Sequence, residues 1–513
     1  MNDFPWLTVL ILVPLVGAPV VAFVPKRLGS ALPKQLAVAV SVLTLAIGVA
    51  IAARYDVGNG MQLTETHKWI DAFGVNYALG VDGLGLLMIL LTVALVPIVL
   101  IGSWTEADDG NPAAFFAWAL ALEAFSLAVF AATDVFLFYV VFEATLVPAY
   151  FLIGGFGREG RAFAALKFLM FQLGGGLVLL AGVIGLYVVS AQQGSPSYLL
   201  TDLAQLQLGT GAERWLFVAF FVAFAVKAPL FPLHTWLADT TENATPGTSV
   251  LLVCVLDKIG TFGMLRFCLG LFPEASQWAT PVVVTLALIS IVYGALIAIG
   301  QDDVLRLIGL TSLSHFGFIT LGIFAFSSQG GSGAILYMVN HGIGTAALFL
   351  LAGYLIRRRG TTLISQMGGL EQVMPVLAGL FLIAGLATLG LPGLSPFVSE
   401  ILVLIAAFDY HWWVGAVAVS GVVLAAIYVL WMYQRVMTGP TPPDAVGTRD
   451  LGRRELAAVA PLMLALVVLG FYPRPLLAVA NPTVDSLMER VGVSDVPPAV
   501  PAADPGSAEE GHQ

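Results

Sequence analysis

Ionisable side chains lie deep inside long apolar runs of this 513-residue chain: Glu143, Lys227, Lys258, His315, His341 and Glu400. Glu143 is about eight residues into its run, roughly 12 Å at helical rise, and Lys258 and His315 are about eleven residues into theirs, roughly 17 Å. His341 falls about seven residues into another, ~10 Å deep, while Lys227 and Glu400 accompany pairs of prolines. A charge at the centre of a bilayer costs about 2.5–3.5 kcal/mol, so four such groups cost on the order of 10–14 kcal/mol if unpaired. That rivals the whole stability of a typical domain. Acid, amine and imidazole together at one depth point to proton transfer, and histidine titrates near neutral pH as a relay requires. Plainer roles stay open. Glu143 and Lys227 could be a structural ion pair, Lys258 and Glu400 could pair with a neighbouring subunit, and His315 and His341 could bond a carbonyl or serine on a facing helix.

Other residues rank below these. Glu123, in the middle of the fourth apolar run, is a second acid for the same work, and His234, just past a proline pair, either relays protons or satisfies freed carbonyls. Asp257 adjoins Lys258, but helix neighbours point about 100° apart, so it is expected to face another helix. Asp134, at the edge of a run, reads as a cap or interface residue; His67, His411 and His512 read as loop residues. Cys254 and Cys268 are too few for an iron–sulfur cluster or a zinc site, so no redox centre or metal is expected in the chain. Gly155-Phe156-Gly157-Arg158-Glu159-Gly160 spells the dinucleotide-binding glycine pattern, but that fingerprint needs a strand before it in a βαβ unit. Here it follows an apolar run, so it is expected to be a tight turn.

The elements that must position these residues are legible in composition. Hydrophobic residues make up 58% of the chain and charged ones 11%, against roughly a quarter charged in soluble domains, which excludes a soluble enzyme of this length. Runs of about 20 apolar residues recur, enough to cross ~30 Å of hydrocarbon as helix, and the alternating segments of a membrane β-barrel are missing. The net charge of −10 resides mostly in loops and tail, at residues such as Asp108, Asp109, Glu509 and Glu510, and carries no nucleic-acid signal. Spans are expected near 4–24, 35–53, 81–101, 113–132, 135–154, 163–190, 214–237, 246–271, 278–300, 303–326, 333–356, 374–408, 412–436 and 455–474. The first follows Asp3 rather than a basic region and has no small-residue cleavage motif, so it reads as a retained span. With about fourteen spans and both ends outside, one side collects Lys26, Arg27, Lys34, Arg158, Arg161, Lys167, Arg306, Arg357, Arg358, Arg359, Arg435, Arg449, Arg453 and Arg454. The other side has only Arg54, Lys68, Arg214, Arg266, Arg474 and Arg490. Short cytoplasmic loops collect Lys and Arg, so the first set marks the cytoplasmic side.

Two spans are interrupted by proline pairs, Pro229/Pro232 and Pro392/Pro396. Each break frees carbonyls that need partners within the membrane. The breaks fall in the seventh and twelfth spans, and paired interruptions of this kind point to inverted repeats. The interval from Glu143 to Lys227 nearly equals that from His315 to Glu400. The expected architecture is an all-α integral membrane protein of about fourteen helices with two inverted five-helix repeats, each holding a broken helix. It divides into an N-terminal three-helix segment (1–110), a first repeat (111–272), a second repeat (273–440), and a last span with a Pro/Ala/Asp-rich tail (441–513) that cannot build a core.

Three stretches resemble the antiporter-like subunits of respiratory complex I: Phe142-Glu143-Ala144-Thr145-Leu146-Val147-Pro148, Val226-Lys227-Ala228-Pro229-Leu230-Phe231-Pro232-Leu233-His234-Thr235-Trp236-Leu237 and Ser312-Leu313-Ser314-His315-Phe316-Gly317-Phe318. The resemblance runs from about Val81, where Gly80-Val81-Asp82-Gly83-Leu84-Gly85 looks like the entry to the third span, through the last span. It implies that Glu143 and Lys227 form an ion pair, that Lys258 continues a central proton route, and that His315 and His341 are relay histidines. The L and N chains and the sodium/proton antiporters of this family usually end the route on lysine; Glu400 matches the M chains instead. The absence of a long lateral helix and further span after the last one also separates it from the L chains. The resemblance further implies a translocase subunit without its own cofactor, with flavin and iron–sulfur clusters in partner subunits. Its expected partners are the other complex I subunits, especially the neighbouring L and N chains, with membrane lipids and protons but no nucleic acid. It would lie in a bacterial inner membrane with both termini on the outer, periplasmic side. The proton order it suggests is Glu143 and Lys227, then Lys258 and His315, then His341 and Glu400. A sodium/proton antiporter or membrane-bound hydrogenase subunit is the alternative.

Overall fold

A computed structural model describes residues 4–493. Asp3, Glu509, Glu510 and His512, with most of the Pro/Ala/Asp-rich tail, lie outside the described residues. The chain opens with α1 (Trp6–Ala22) and α2 (Ala31–Ala52), then, beyond a hairpin, α3 (Gly83–Gly102) and α4 (Pro112–Ala131). Next come α5 (Val135–Ala144), α6 (Leu146–Phe156), α7 (Arg161–Gln192), the short α8 (Leu200–Leu203), α9 (Thr210–Lys227) and α10 (Thr235–Asn243). One continuous helical rod then runs through α11 (Pro246–Val250), a π-helical turn (Leu251–Leu256), α12 (Lys258–Gly263) and a second π-helical turn (Met264–Leu269). It is followed by α13 (Pro273–Ile299), α14 (Val304–Phe324), α15 (Ser328–Arg359), α16 (Pro375–Thr388), α17 (Ser395–Tyr410), α18 (Trp412–Met437), α19 (Arg453–Phe471) and α20 (Arg474–Val491).

Among the described residues, eleven helical segments are long and apolar enough to cross a membrane, with α5 and α6 taken as one and the rod Pro246–Leu269 as another. Helix α1 and helix α16 are shorter apolar helices. In Pro246–Leu269, α14 and α15 the apolar stretch is 100% buried, whereas in α2 it is 28% and in α19 33% buried. The three central segments carry Lys258, His315 and His341, so protein rather than lipid surrounds these groups, as their charge demands.

Aspartates start several helices. Asp134 caps α5, accepting from the amides of Phe136 at 2.9 Å and Leu137 at 3.0 Å, and its second oxygen accepts from the Asn76 amide at 2.9 Å. Asp303 does the same for α14, accepting from Leu305 and Arg306, both at 3.0 Å. The first helical amide also finds a similar partner in each case. Val135 donates to the Tyr198 carbonyl just beyond α7 at 2.8 Å, and Val304 to the Thr362 carbonyl just beyond α15 at 3.0 Å.

Two stretches differ from expectation, the first of them by not being helical. The connection before α3, where His67 was expected in a loop, is an antiparallel hairpin of β1 (Gln62–Ile70) and β2 (Val75–Val81), with His67 opposite Tyr77. The reason is burial: β2 runs beneath the start of α5, the Ala78 carbonyl accepts from Thr133 at 2.9 Å, and β1 supplies partners for the remaining backbone groups. Beyond the last expected span, where only a Pro/Ala/Asp-rich tail was expected, the chain forms the 18-residue helix α20. Its buried Ala480, Val484 and Met488 recur every four residues on one face. Gln277 donates to the Val491 carbonyl at 2.6 Å and Ser332 to Asn481 at 2.9 Å, which lays α20 across the ends of α13 and α15.

Asp82 joins two jobs at the head of α3. Its Oδ1 accepts from the Gly85 amide at 2.9 Å, and both oxygens pair with the Arg266 guanidinium at 2.6 and 2.7 Å, with little of either side chain exposed. Breaking a buried pair costs about 3–5 kcal/mol. Asp82→Ala is therefore expected to lower the thermal unfolding midpoint of the purified protein clearly, and Asp82→Asn, which keeps an acceptor for the cap, to fall between the two. Equal midpoints for Asp82→Ala and the parent would show that the pair contributes nothing.

Candidate functional site

The interruption after α5 places Glu143 and Lys227 close together without joining them. Thr145, at the joint of α5 and α6, donates to the Phe142 carbonyl at 2.6 Å and accepts from Lys227 Nζ at 3.2 Å. The ammonium also lies 4.6 Å from the centre of the Phe142 ring, a cation–π contact. Glu143 points elsewhere. A Cβ on Gly176 of α7 would fall 1.8 Å from Glu143 Oε1, so the missing side chain is a notch in which the carboxylate lodges. That oxygen is buried with no hydrogen-bond partner. The implied Glu143–Lys227 ion pair is thus not closed: among the described residues, no carboxylate lies within 4.0 Å of Lys227. The glycine notch and the Thr145–Phe142 seat hold the two charges apart.

Lys227 is the last residue of α9, and the proline break follows it. The freed Val226 carbonyl accepts from the Trp236 indole at 3.1 Å, and the Phe231 amide donates to Ser290 at 2.9 Å, so the backbone of the break finds partners inside the protein. Gly260 lets the next helix touch this break: a Cβ there would fall 2.4 Å from the Ala228 nitrogen. Lys258 is thereby brought onto the flank of the Lys227 helix. Asp257, expected to face another helix, is fully buried and neither of its oxygens finds a hydrogen-bond partner.

From Lys258 onward the contacts are direct. Lys258 Nζ lies 2.6 Å from His341 Nδ1 and 4.3 Å from the centre of the Phe316 ring. The His341 and His315 rings are 5.1 Å apart, His315 Nδ1 lies 2.8 Å from the Tyr337 hydroxyl, and Tyr337 donates to Glu400 Oε1 at 2.8 Å. The two histidines therefore stand in the opposite order to that expected, because α15 packs directly on the π-helical turn ahead of Lys258 and brings His341 there first. Hydrogen-bond roles follow from these partners. An ammonium at Lys258 makes His341 Nδ1 an acceptor, leaving the proton on Nε2; a Tyr337 hydroxyl committed to Glu400 accepts a hydrogen bond from His315 Nδ1–H, leaving Nε2 an acceptor. Both Nε2 atoms are buried without a partner. One is a donor and the other an acceptor, which is a complementary pair.

Glu400 has its own glycine seat. Gly390, at φ +77 in the second proline break, would put a Cβ 1.7 Å from Glu400 Oε2, so both its backbone and the carboxylate exclude a side chain. Asn340 secures the far side of this break, donating to the Ser395 carbonyl at 2.8 Å and to Ser399 at 3.2 Å. Glu123 is buried in α4 with neither oxygen partnered and joins no contact of this series. His234 is buried between Phe231 and Tyr293, and its Nδ1 has no partner, so it does not satisfy freed carbonyls through that atom. His411 sits between α17 and α18. Gly157 and Gly160 form the tight turn expected of them, each leaving room for Asn243, whose carbonyl accepts from the Arg158 amide at 2.6 Å. Cys254 and Cys268 are free and buried, and among the described residues no group of three His, Cys, Asp or Glu could hold a metal ion.

Sequence reasoning missed Tyr337, Gly176 and Gly390. A tyrosine in an apolar run looks like packing, and no local signal marks a glycine whose absent side chain receives a carboxylate from another helix.

The model of the family described as NADH:quinone oxidoreductase/Mrp antiporter, TM, matches residues 132–426. The NADH-quinone oxidoreductase subunit M of Mycobacterium tuberculosis is 47% identical over 539 residues, covering 98% of this chain and 97% of that protein. A chain of respiratory complex I from Thermus thermophilus superposes with a TM-score of 0.87 at 32% identity, covering 95% of this chain and 100% of that one. A chain of the Mrp complex from Dietzia shares the fold at a TM-score of 0.83 and 23% identity, over 94% and 98%. On the length of these matches, the chain belongs to the family of NADH:quinone oxidoreductase and Mrp antiporter transmembrane subunits.

Proposed function

We propose that the chain is the antiporter-like subunit M of a bacterial NADH:quinone oxidoreductase, moving protons through its buried residues while electrons travel in partner subunits that hold flavin and iron–sulfur clusters. The observation that carries this reading is the buried series Lys258, His341, His315, Tyr337, Glu400, in which every neighbour but the histidine pair is joined at 2.6–2.8 Å. Glu143 and Lys227 feed this series. A carboxylate beside an ammonium stabilises the charged pair, and separating them drives the proton toward the next base. The seats at Gly176 and Thr145 correspond to the separated arrangement. Proton export against ~100 mV needs about 2.3 kcal/mol per charge.

The same reading includes fourteen spans, both termini on the outer side, and inverted repeats over 111–272 and 273–440 flanked by 1–110 and 441–513. Two features support the repeats. Helices α7 and α15 are both 32 residues long. Asp134 and Asp303 each cap the span before such a helix, with the first helical amide tied to the strand-like segment after it. Asp134 does so beside the hairpin, whereas Asp303 pairs with Arg158, in the basic set read as cytoplasmic, at 3.0 Å. Opposite ends are what inversion requires. Glu123 and His234 remain second-tier proton carriers, and the L and N chains are the neighbours proposed for the assembly.

A sodium/proton antiporter subunit is the second reading, favoured by the shared fold with the Mrp complex. Purifying the chain with its partners separates the two. Flavin and iron–sulfur subunits with NADH:quinone activity are expected to come with it; their consistent absence would favour the antiporter. The notch gives a finer test. Gly176→Ala is expected to slow proton pumping by at least about fivefold, roughly 1 kcal/mol at the barrier, with the complex still assembled. Gly174→Ala, where an added Cβ meets nothing within 4 Å, is the neutral control. Equal pumping by both variants would remove Gly176 from the account.

A further inference from the structure

At the arginine-rich end, between α15 and α19, lies a cavity of about 500 Å³ lined by Arg357, Arg358, Arg449, Arg453 and Arg454. Its two acids are already engaged. Glu455 pairs with Arg358 at 2.6 Å, and Asp450 accepts from the amides of Val376 at 2.7 Å, Leu377 at 3.0 Å and Leu451 at 2.7 Å. Arg358 also donates to the carbonyls of Arg449 and Asp450, at 2.8 and 3.0 Å, and so builds the wall from the loop ahead of α19. Among the described residues, no carboxylate lies within 4.0 Å of Arg357, Arg449, Arg453 or Arg454, and Arg454 Nε is buried without a hydrogen-bond partner. Arg453 and Arg454 stand in the first turn of α19, where the helix dipole already disfavours cations. These cations, short of carboxylate partners, leave an excess of positive charge that an anion in the cavity would offset.

The apolar surface below tells which anion. Leu456, Leu464, Val467, Val468 and Phe471 are exposed along α19 at helical spacing, from the first turn beneath the cavity to the far end of the helix. This stripe is ~22 Å tall, a fit for an acyl chain rather than for a free ion. A water occupies about 30 Å³ of liquid volume, so the cavity is an order of magnitude larger than a small ion needs. We propose that the cavity binds the headgroup of an anionic phospholipid whose acyl chains lie along the exposed face of α19. Basic pockets between spanning helices take such headgroups in membrane proteins generally. This site is separate from the buried proton residues and stands or falls without them.

The test uses the assembled complex in phosphatidylcholine nanodiscs doped with a photoreactive phosphatidylglycerol, with cross-linked peptides read by mass spectrometry. Labelling of α19 and the loop ahead of it is expected, reduced at least about fivefold in Arg449→Gln/Arg453→Gln/Arg454→Gln, and kept within about twofold when the same positions carry lysine, because the attraction is mainly of charge. If the triple glutamine variant fails to assemble, the single variant Arg449→Gln, in the exposed loop, is expected to lose about half the labelling. Excess unlabelled phosphatidylglycerol is expected to compete and millimolar inorganic phosphate not to. Competition by phosphate would make this a free-anion site and overturn the lipid assignment. Equal labelling by photoreactive phosphatidylcholine, or undiminished labelling in Arg449→Gln and in the triple variant, would overturn it as well.

Discussion

Replacing Lys227 with alanine is expected to abolish proton pumping while leaving the electron-transfer modules assembled and able to oxidise NADH. Lys227 is fully buried at the end of α9, its ammonium held by the Thr145 hydroxyl and the Phe142 ring. Its loss leaves Glu143 without the amine seated on Thr145, two residues along the same interruption. The break itself is held by Trp236 and Ser290 rather than by the lysine, so the fold around it is expected to persist. Reconstituted vesicles give the readout: acidification on NADH addition, measured beside NADH oxidation in uncoupled vesicles. Lys227→Arg is expected to rescue poorly, since a planar fork of donors does not replace a compact ammonium over an aromatic ring. Glu143→Ala is expected to fail in the same way. Near-normal coupled pumping in either alanine variant would instead support a passive scaffold role for this chain.

The second large effect is expected from a single oxygen. Tyr337→Phe removes the hydroxyl that joins His315 to Glu400, and with it two contacts of 2.8 Å. Each buried partner left unsatisfied costs about 1–3 kcal/mol, and the phenyl ring leaves a gap no side chain fills. A barrier higher by 1.36 kcal/mol is a tenfold loss of rate, so pumping is expected to drop by tenfold or more with the fold retained. Protons moved per NADH oxidised is the discriminating quantity. A structural tyrosine would move the unfolding temperature alone, whereas a relay tyrosine moves the ratio.

Hydropathy marks the membrane character of the chain because a bilayer allows few alternatives, and eleven segments among the described residues are long and apolar enough to span; Pro229/Pro232 and Pro392/Pro396 mark the stretches where α9 and α16 stop short. Asp134 was legible as a cap because capping is local. What escaped was lateral. The exchange of His315 and His341 depends on which helix lies beside the Lys258 turn, and no periodicity along one helix encodes its neighbours. The open Glu143–Lys227 pair depends on a missing methyl group at Gly176, which is far from Glu143 in sequence but touches it in space. The hairpin at 62–81 escaped because β1 is mostly polar and exposed, without a buried alternating face, and its pairing with β2 is set by the packing around it. Helix α20 carried a readable four-residue repeat, Ala480, Val484 and Met488, masked by Pro482 within it and by the polar residues of its outer face.

The central claim is that protons pass through the series beginning at Lys258. Lys258→Met keeps the apolar stem length and removes only the ionisable head, which His341 accepts at 2.6 Å. The measurement is the number of protons moved per NADH oxidised by the assembled complex carrying this change, in sealed vesicles, against the unchanged complex prepared alongside. A clear fall in that ratio, with uncoupled NADH oxidation preserved, is the result expected. An unchanged ratio would contradict the account, whatever the other variants show.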